Sequence, residues 1–166
     1  ADDDGVCDSD EVEGCSDEWA SNYNSEATDD GLCKYRNLFN ISDKAFLNYL
    51  KESYSNLIFN DSLDVDSAAL IAGDFSFTQN DSISSLDGLQ HFTSLTDLTI
   101  DKNASLNHIP DLSGMKDLDS LGISENPSLT SLALSGLINL TSLWIYDNDA
   151  LTSLPDLSGL TNLTSL

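Results

Sequence analysis

Four asparagines, Asn80, Asn103, Asn126 and Asn148, recur at spacings of 23, 23 and 22 residues. This period constrains the fold more than any other feature of the chain. An apolar trio precedes each asparagine: Ala72, Phe75 and Phe77; Leu95, Leu98 and Ile100; Leu118, Leu121 and Ile123; Leu140, Leu143 and Ile145. A second trio follows each: Ile83, Leu86 and Leu89; Leu106, Ile109 and Leu112; Leu129, Leu132 and Leu134; Leu151, Leu154 and Leu157. Phe92, Met115, Leu137 and Leu160 come next, and the third copy has lost one residue between Leu132 and Leu137. Stretches such as "LTDLTI" and "LTSLWI" alternate inward and outward residues, as a short strand does. The return arm, "LPDLSGLTNL", carries leucine every third residue, which suits a 3₁₀-like or irregular turn. A unit this short cannot bury its apolar side alone, so the copies are expected to stack around one continuous core.

The pattern L-x-x-L-x-L-x-x-N-x-x-L resembles that of leucine-rich repeats. The fold class this implies is an α/β solenoid, with parallel strands on one face over residues 72–166. The wording of the repeats is similar to bacterial leucine-rich repeats of the internalin-like type. In front of them "ISDKAFLNYLKES" reads as an amphipathic helix with Phe46, Leu47, Leu50 and Tyr54 on one face, and Ser42 or Asp43 as its N-cap. Residues 37–71 are therefore expected to be a short helical N-terminal cap, which an open solenoid end requires. Relatives carry a calcium-loop-like stretch in that cap. Here "FNDSLDVDSAA" lacks the glycine, so calcium is not assigned to Asp61, Asp64 or Asp66. The ladder asparagines are read as inward-pointing and structural.

Residues 1–36 differ in kind. The first 33 residues hold twelve acids, all three cysteines and no lysine or arginine. With Gly5 at position 6 of a twelve-residue calcium loop, Asp2, Asp4, the Val6 carbonyl, Asp8 and Glu11 fall at ligand positions, which predicts Ca²⁺ binding. Position 1 would precede Ala1, and the repeats break off at Leu166 in mid-copy. Both suggest an excerpt of a longer protein whose repeats continue. The stretch "GCSDEWASNYNSEATDDGLCKY" resembles a small cysteine-bounded module of large secreted bacterial proteins, often found beside acidic calcium repeats. Three cysteines in such a head suggest disulfides. Of the pairings they allow, Cys15–Cys33 is favoured because it closes the module, with Cys7 paired upstream or free. Zinc is the alternative, but His91 and His108 offer no ligand spacing.

The chain has 29 acids against 6 bases, a formal net charge of −23. That excludes nucleic acid and anionic membrane surfaces as natural partners, and no apolar run approaches a membrane span. Nucleophile, zinc-hydrolase and phosphate-loop motifs are lacking, so the chain is expected not to be an enzyme. What remains is a binding face of outward strand positions. Its columns are Asp74, Asp97, Ser120, Ser142; then Ser76, Thr99, Gly122, Trp144; then Thr78, Asp101, Ser124, Tyr146. Trp144 and Tyr146 stand out as exposed interface anchors, with Asp101, Thr99 and Asp97 beside them. Six N-x-S/T sequons occur. Asn80 and Asn103 belong to the ladder, which leaves Asn139, Asn162, Asn40 and Asn60 as possible glycosylation sites. The expected function is an extracellular or cell-surface recognition or adhesion module that binds protein or glycan. The alternative is a structural subunit of a calcium-stabilised filament or layer built from copies of itself.

Overall fold

The computed structural model describes residues 12–30, 33–153 and 155–166. The chain divides into two compact units, residues 1–37 and 38–166.

In the first unit, β1 (Glu13–Gly14) pairs in parallel with β2 (Asp29–Asp30). A Cβ on Gly14 would come within 2.5 Å of the Asn24 Cβ, so only glycine fits this crossing. The Cys15 N–H donates to the Asn22 carbonyl, and the Asn24 N–H donates to the Cys15 carbonyl. Cys15 is buried and bonded to Cys33, with Cα atoms 5.2 Å apart. The buried apolar residues described here are Cys15 and Ala20. A disulfide in this position does the work that so short a segment cannot obtain from apolar burial.

The second unit opens with β3 (Leu38–Asn40) and α1 (Lys44–Ser53). Asp43 is the N-cap, its Oδ1 accepting from the N–H groups of Ala45 and Phe46 at 2.9 Å each. Phe46, Leu47 and Leu50 form the buried stripe of the helix. Residues 37–71 are not purely helical. A 3₁₀ turn (Ser55–Leu57), β4 (Ile58–Phe59), β5 (Ser62–Asp64) and α2 (Val65–Ala68) follow, and β3, β5 and β4 form an antiparallel sheet in that order. Strands of two or three residues are too short to show a period, which is why the helix alone was legible. Asn60 and Asp61 join β4 to β5 with φ of 47° and 60°, a two-residue hairpin loop whose twist matches the strands.

Four parallel strands then succeed one another in chain order: β6 (Gly73–Thr78), β7 (Leu95–Asp101), β8 (Ser120–Ser124) and β9 (Ser142–Tyr146). The arrangement is a parallel-strand solenoid. Registers follow the repeat: Leu98 pairs with Leu121 and Leu121 with Leu143. These leucines, with Phe77, Ile100 and Ile123, are buried in one continuous core. In the return arms the three-residue leucine spacing becomes i→i+3 hydrogen bonds: Leu89 N–H to Leu86, Met115 N–H to Leu112 and Leu160 N–H to Leu157. Ala72 departs from the expected pattern. It is exposed, Gly73 stands opposite Leu95, and the register shifts between Gly73 and Asp74. The first strand meets the cap rather than a preceding copy, so its first inward position is not needed.

Candidate functional site

The strand face rests on the asparagine ladder. Nδ2 of Asn126 donates to the carbonyls of Ile100 (3.0 Å) and Ser124 (2.9 Å) and to Oδ1 of Asn148 (3.1 Å). Its own Oδ1 accepts from the backbone N–H and the Nδ2 of Asn103, both at 3.1 Å. Asn103 and Asn148 make the equivalent pair of carbonyl bonds one turn away on either side, to Phe77 and Asp101 and to Ile123 and Tyr146, and Asn80 joins through its backbone N–H. A buried amide with two donors and one acceptor can thus satisfy a strand end, the turn after it and the next ladder member together. No buried side-chain nitrogen or oxygen among the described residues lacks a partner.

The residue before each ladder asparagine holds a left-handed backbone. Gln79, Lys102, Glu125 and Asp147 have φ of 57°, 56°, 52° and 53°. None is glycine or asparagine, the usual occupants of that region. The N–H of each of the first three donates to a carbonyl of the next turn, those of Asp101, Ser124 and Tyr146. That bond and the neighbouring asparagine fix the conformation. The column lies at one end of the strand face, where Nζ of Lys102 sits 2.9 Å from Asp101 Oδ2 and 2.8 Å from Glu125 Oε1. The Glu125 and Asp101 carboxylates raise the Lys102 pKa above its ordinary value. The Ser124 hydroxyl donates to Asp101 Oδ1 at 2.6 Å and is the main cause lowering the Asp101 pKa; burial opposes it and Lys102 assists.

All five residues of the expected binding face lie on it. Thr99, Gly122 and Trp144 are cross-strand neighbours, as are Asp97, Ser120 and Ser142, and Asp101, Ser124 and Tyr146. Trp144 is 46% and Tyr146 52% exposed. Asp97 and Asp101 are half-buried and Thr99 is exposed. Oδ2 of Asp97 accepts from the Thr96 hydroxyl at 2.9 Å. Beside the exposed Asp74, Ser76 and Thr78 of β6, the face has three further lanes: hydroxyls and carboxylates on β7, serine, glycine and serine on β8, and Ser142 with two aromatic rings on β9.

The calcium ligands expected at Asp2, Asp4, Val6, Asp8 and Glu11 lie outside the described residues, as do Cys7 and Leu154. Among the described residues no group of three or more His, Cys, Asp or Glu side chains is placed to hold a metal, and no helix is long and apolar enough to cross a membrane. Asp61 pairs with Lys51, and Asp64 caps α2 by accepting from the Ser67 N–H. His91 packs on Phe39, and burial lowers its pKa. His108 pairs with Asp87 at 3.0 Å.

Asn40, Asn60, Asn139 and Asn162 are exposed. At two of them the atom a glycan would occupy is engaged: Nδ2 of Asn139 donates to the Lys116 carbonyl (2.7 Å) and that of Asn162 to the Ile138 carbonyl (2.8 Å). Ser94 makes the equivalent bond two copies before Asn139, its hydroxyl donating to the Ala69 carbonyl at 2.7 Å, while Asp117 holds the position between them. The position just before the strand leucine is Ser94, Asp117, Asn139 and Asn162 in successive copies; the equivalence of the last two was legible in the sequence, but the carbonyl bonds were not, because no one residue type recurs along the column. A shallow depression of about 230 Å³ between Leu134 and Pro155 marks where the third copy is one residue short. No protein-family model matches the chain, and no curated protein matches it significantly.

Proposed function

We propose that the chain is an extracellular or cell-surface recognition module, built on leucine-rich repeats of the internalin-like kind, which binds a protein or glycan partner through its strand face. One observation carries the reading: Trp144 and Tyr146 stand exposed, side by side on a strand whose backbone is tied to its neighbour. Large rings held on a rigid strand present contact area at little entropic cost, which is what interface anchors do. The disulfide is compatible with an oxidising, extracellular setting. The proposal makes the chain a binding module rather than an enzyme. It keeps calcium at Asp2, Asp4, Val6, Asp8 and Glu11 on ligand spacing alone.

The test is binding of the labelled chain to glycan arrays and to intact cells, with the double variant Trp144→Ala, Tyr146→Ala beside the native chain. Leu70→Ala, an exposed position off the face, is the control. Binding lost in the double variant and kept in the control supports the reading. Binding that survives both moves recognition off this face. Sedimentation at micromolar concentration completes the test: a monomer is expected, and assembly abolished by the double variant would instead make the face a contact between copies.

A further inference from the structure

Gly122 occupies the middle of β8, the third of four paired strands. Glycine weakens a strand interior, because it loses the most freedom on folding and packs nothing. Two structural reasons normally excuse it, and neither applies here. Its backbone is not left-handed, unlike that of Gly73, Gly88 and Gly136. A Cβ built on it would find only the Thr99 hydroxyl, at 3.9 Å, so nothing crowds the position. The register runs unbroken through Gly122 on both sides, so no bulge explains it either, which leaves the close approach of another molecule to the backbone.

What surrounds the gap says what that molecule carries. Gly122 lies directly between Thr99 and Trp144 in the cross-strand register. Ser120 and Ser124 continue the low lane on either side. Asp97 and Asp101 are the two diagonal neighbours on β7, two residues either side of Thr99 and on the same face. A group seated over Gly122 thus lies between the indole on one side and the Asp97 carboxylate on the other, both oxygens of Asp101 being engaged by the Ser124 hydroxyl and Lys102. Among the described residues the only cation paired with either acid is Lys102, held between Asp101 and Glu125 at the end of the face; Asp97 has none. Opposite charge within reach, together with an aromatic face at the same spot, favours a flat cation over a neutral ring.

Resting on the reading above, we infer that the gap over Gly122 takes an arginine side chain of a protein partner, its guanidinium stacked on Trp144 and paired with Asp97. The glycine makes room for the alkyl stem, and the small serines leave the lane open for the partner's backbone.

The experiment follows the backbone amide and indole NMR signals of the full chain. Three probes are added in turn: acetyl-Gly-Arg-Gly-Arg-Gly-amide, the same peptide with citrulline for arginine, and an N-acetylglucosamine hexamer. The expected result is that the arginine peptide alone moves Asp97, Thr99, Gly122 and the Trp144 indole. Gly122→Val and Asp97→Asn should each weaken that binding by about tenfold or more. Gly122→Val adds a residue that favours strands where space exists, so it should raise the urea midpoint while blocking the gap. Loss of binding in a more stable variant cannot be a folding defect. Shifts scattered over acidic residues and unchanged by Gly122→Val would mean general attraction to a polyanion and overturn the inference. Movement of the same signals by the hexamer alone, or by citrulline as strongly as arginine, would overturn it and leave the face reading standing. No movement with any probe overturns it as well, while the face reading is decided separately by the double aromatic variant.

Discussion

At the residue scale, two kinds of asparagine do different work. Asn126 is fully buried, and its amide serves Ile100, Ser124, Asn103 and Asn148 at once. Replacing it with leucine takes the side-chain acceptor from the buried Asn103 N–H and the amide donor from the Ile100 carbonyl, and leaves the Ser124 carbonyl only the Lys102 N–H. Asn126→Leu should therefore cost about 3–4 kcal/mol, read as a fall in the urea midpoint. Asn139 makes one bond of the same kind, to the Lys116 carbonyl, but at the surface. Asn139→Ala should cost only about 0.5–1 kcal/mol, because water replaces the lost donor. Equal losses at the two sites would mean that the inner ladder is no more a polar spine than the surface amide is. The inner ladder was legible because asparagine itself recurs at a fixed period. The left-handed column of Gln79, Lys102, Glu125 and Asp147 was not, because no residue type marks it; the conformation is imposed by bonds to the next turn.

At the scale of elements, the cap is held to the first turn of the solenoid by one carboxylate. Asp43 caps α1 with Oδ1, while Oδ2 accepts from the Ser84 N–H (2.8 Å), the Ser84 hydroxyl (2.7 Å) and the Ser85 N–H (3.0 Å). Tyr49 adds a bond from its hydroxyl to the Ser76 carbonyl on β6, the first strand, and Tyr54 stacks on Phe75. Burial acts to raise the Asp43 pKa, but the bonds from Phe46, Ser84 and Ser85 outweigh it and leave the pKa below the usual value. A group with a lowered folded pKa contributes stability that is present above its unfolded value, about 3.9, and is lost as pH falls through the folded one. Asp43→Asn cannot titrate and turns an amide donor toward Ser84 and Ser85. It should cost about 1–2 kcal/mol at pH 7, and the gap between native and variant should close as pH drops below about 4. Urea midpoints of both proteins between pH 7 and pH 3 check this; a constant gap would remove Asp43 from the lock. The helix and Asp43 as one of its two possible caps were readable from the apolar stripe. The second role of Asp43, 41 residues away in sequence, was not, since nothing local encodes a contact at that distance. The hairpin at Asn60–Asp61 had a signal that went unused: two turn-forming residues between short apolar runs.

At the scale of the whole molecule, charge opposes the fold that the leucines drive. Residues 38–166 keep 17 of the 29 acids but only four of the six bases. Of those four, Lys51 and Lys102 are tied to carboxylates and Lys116 to the Gly136 carbonyl. Like charges so unevenly matched repel one another in the compact state, and salt relieves this as the screening length falls from about 30 Å at 0.01 M to about 3 Å at 1 M. The urea midpoint should therefore rise with NaCl, most of the gain coming below about 0.3 M, where screening changes fastest. A rise that is instead linear up to about 1 M would trace to exclusion of salt from the surface. Recognition should respond with the opposite sign. The Asp97 charge proposed to draw a cationic side chain to Gly122 belongs to the same excess, so the salt that steadies the solenoid should weaken the arginine peptide's binding. Measured on one protein over one salt series, stability should climb while affinity falls. If both climbed together, apolar contact with Trp144 alone would account for binding, and Asp97 would have no part in it.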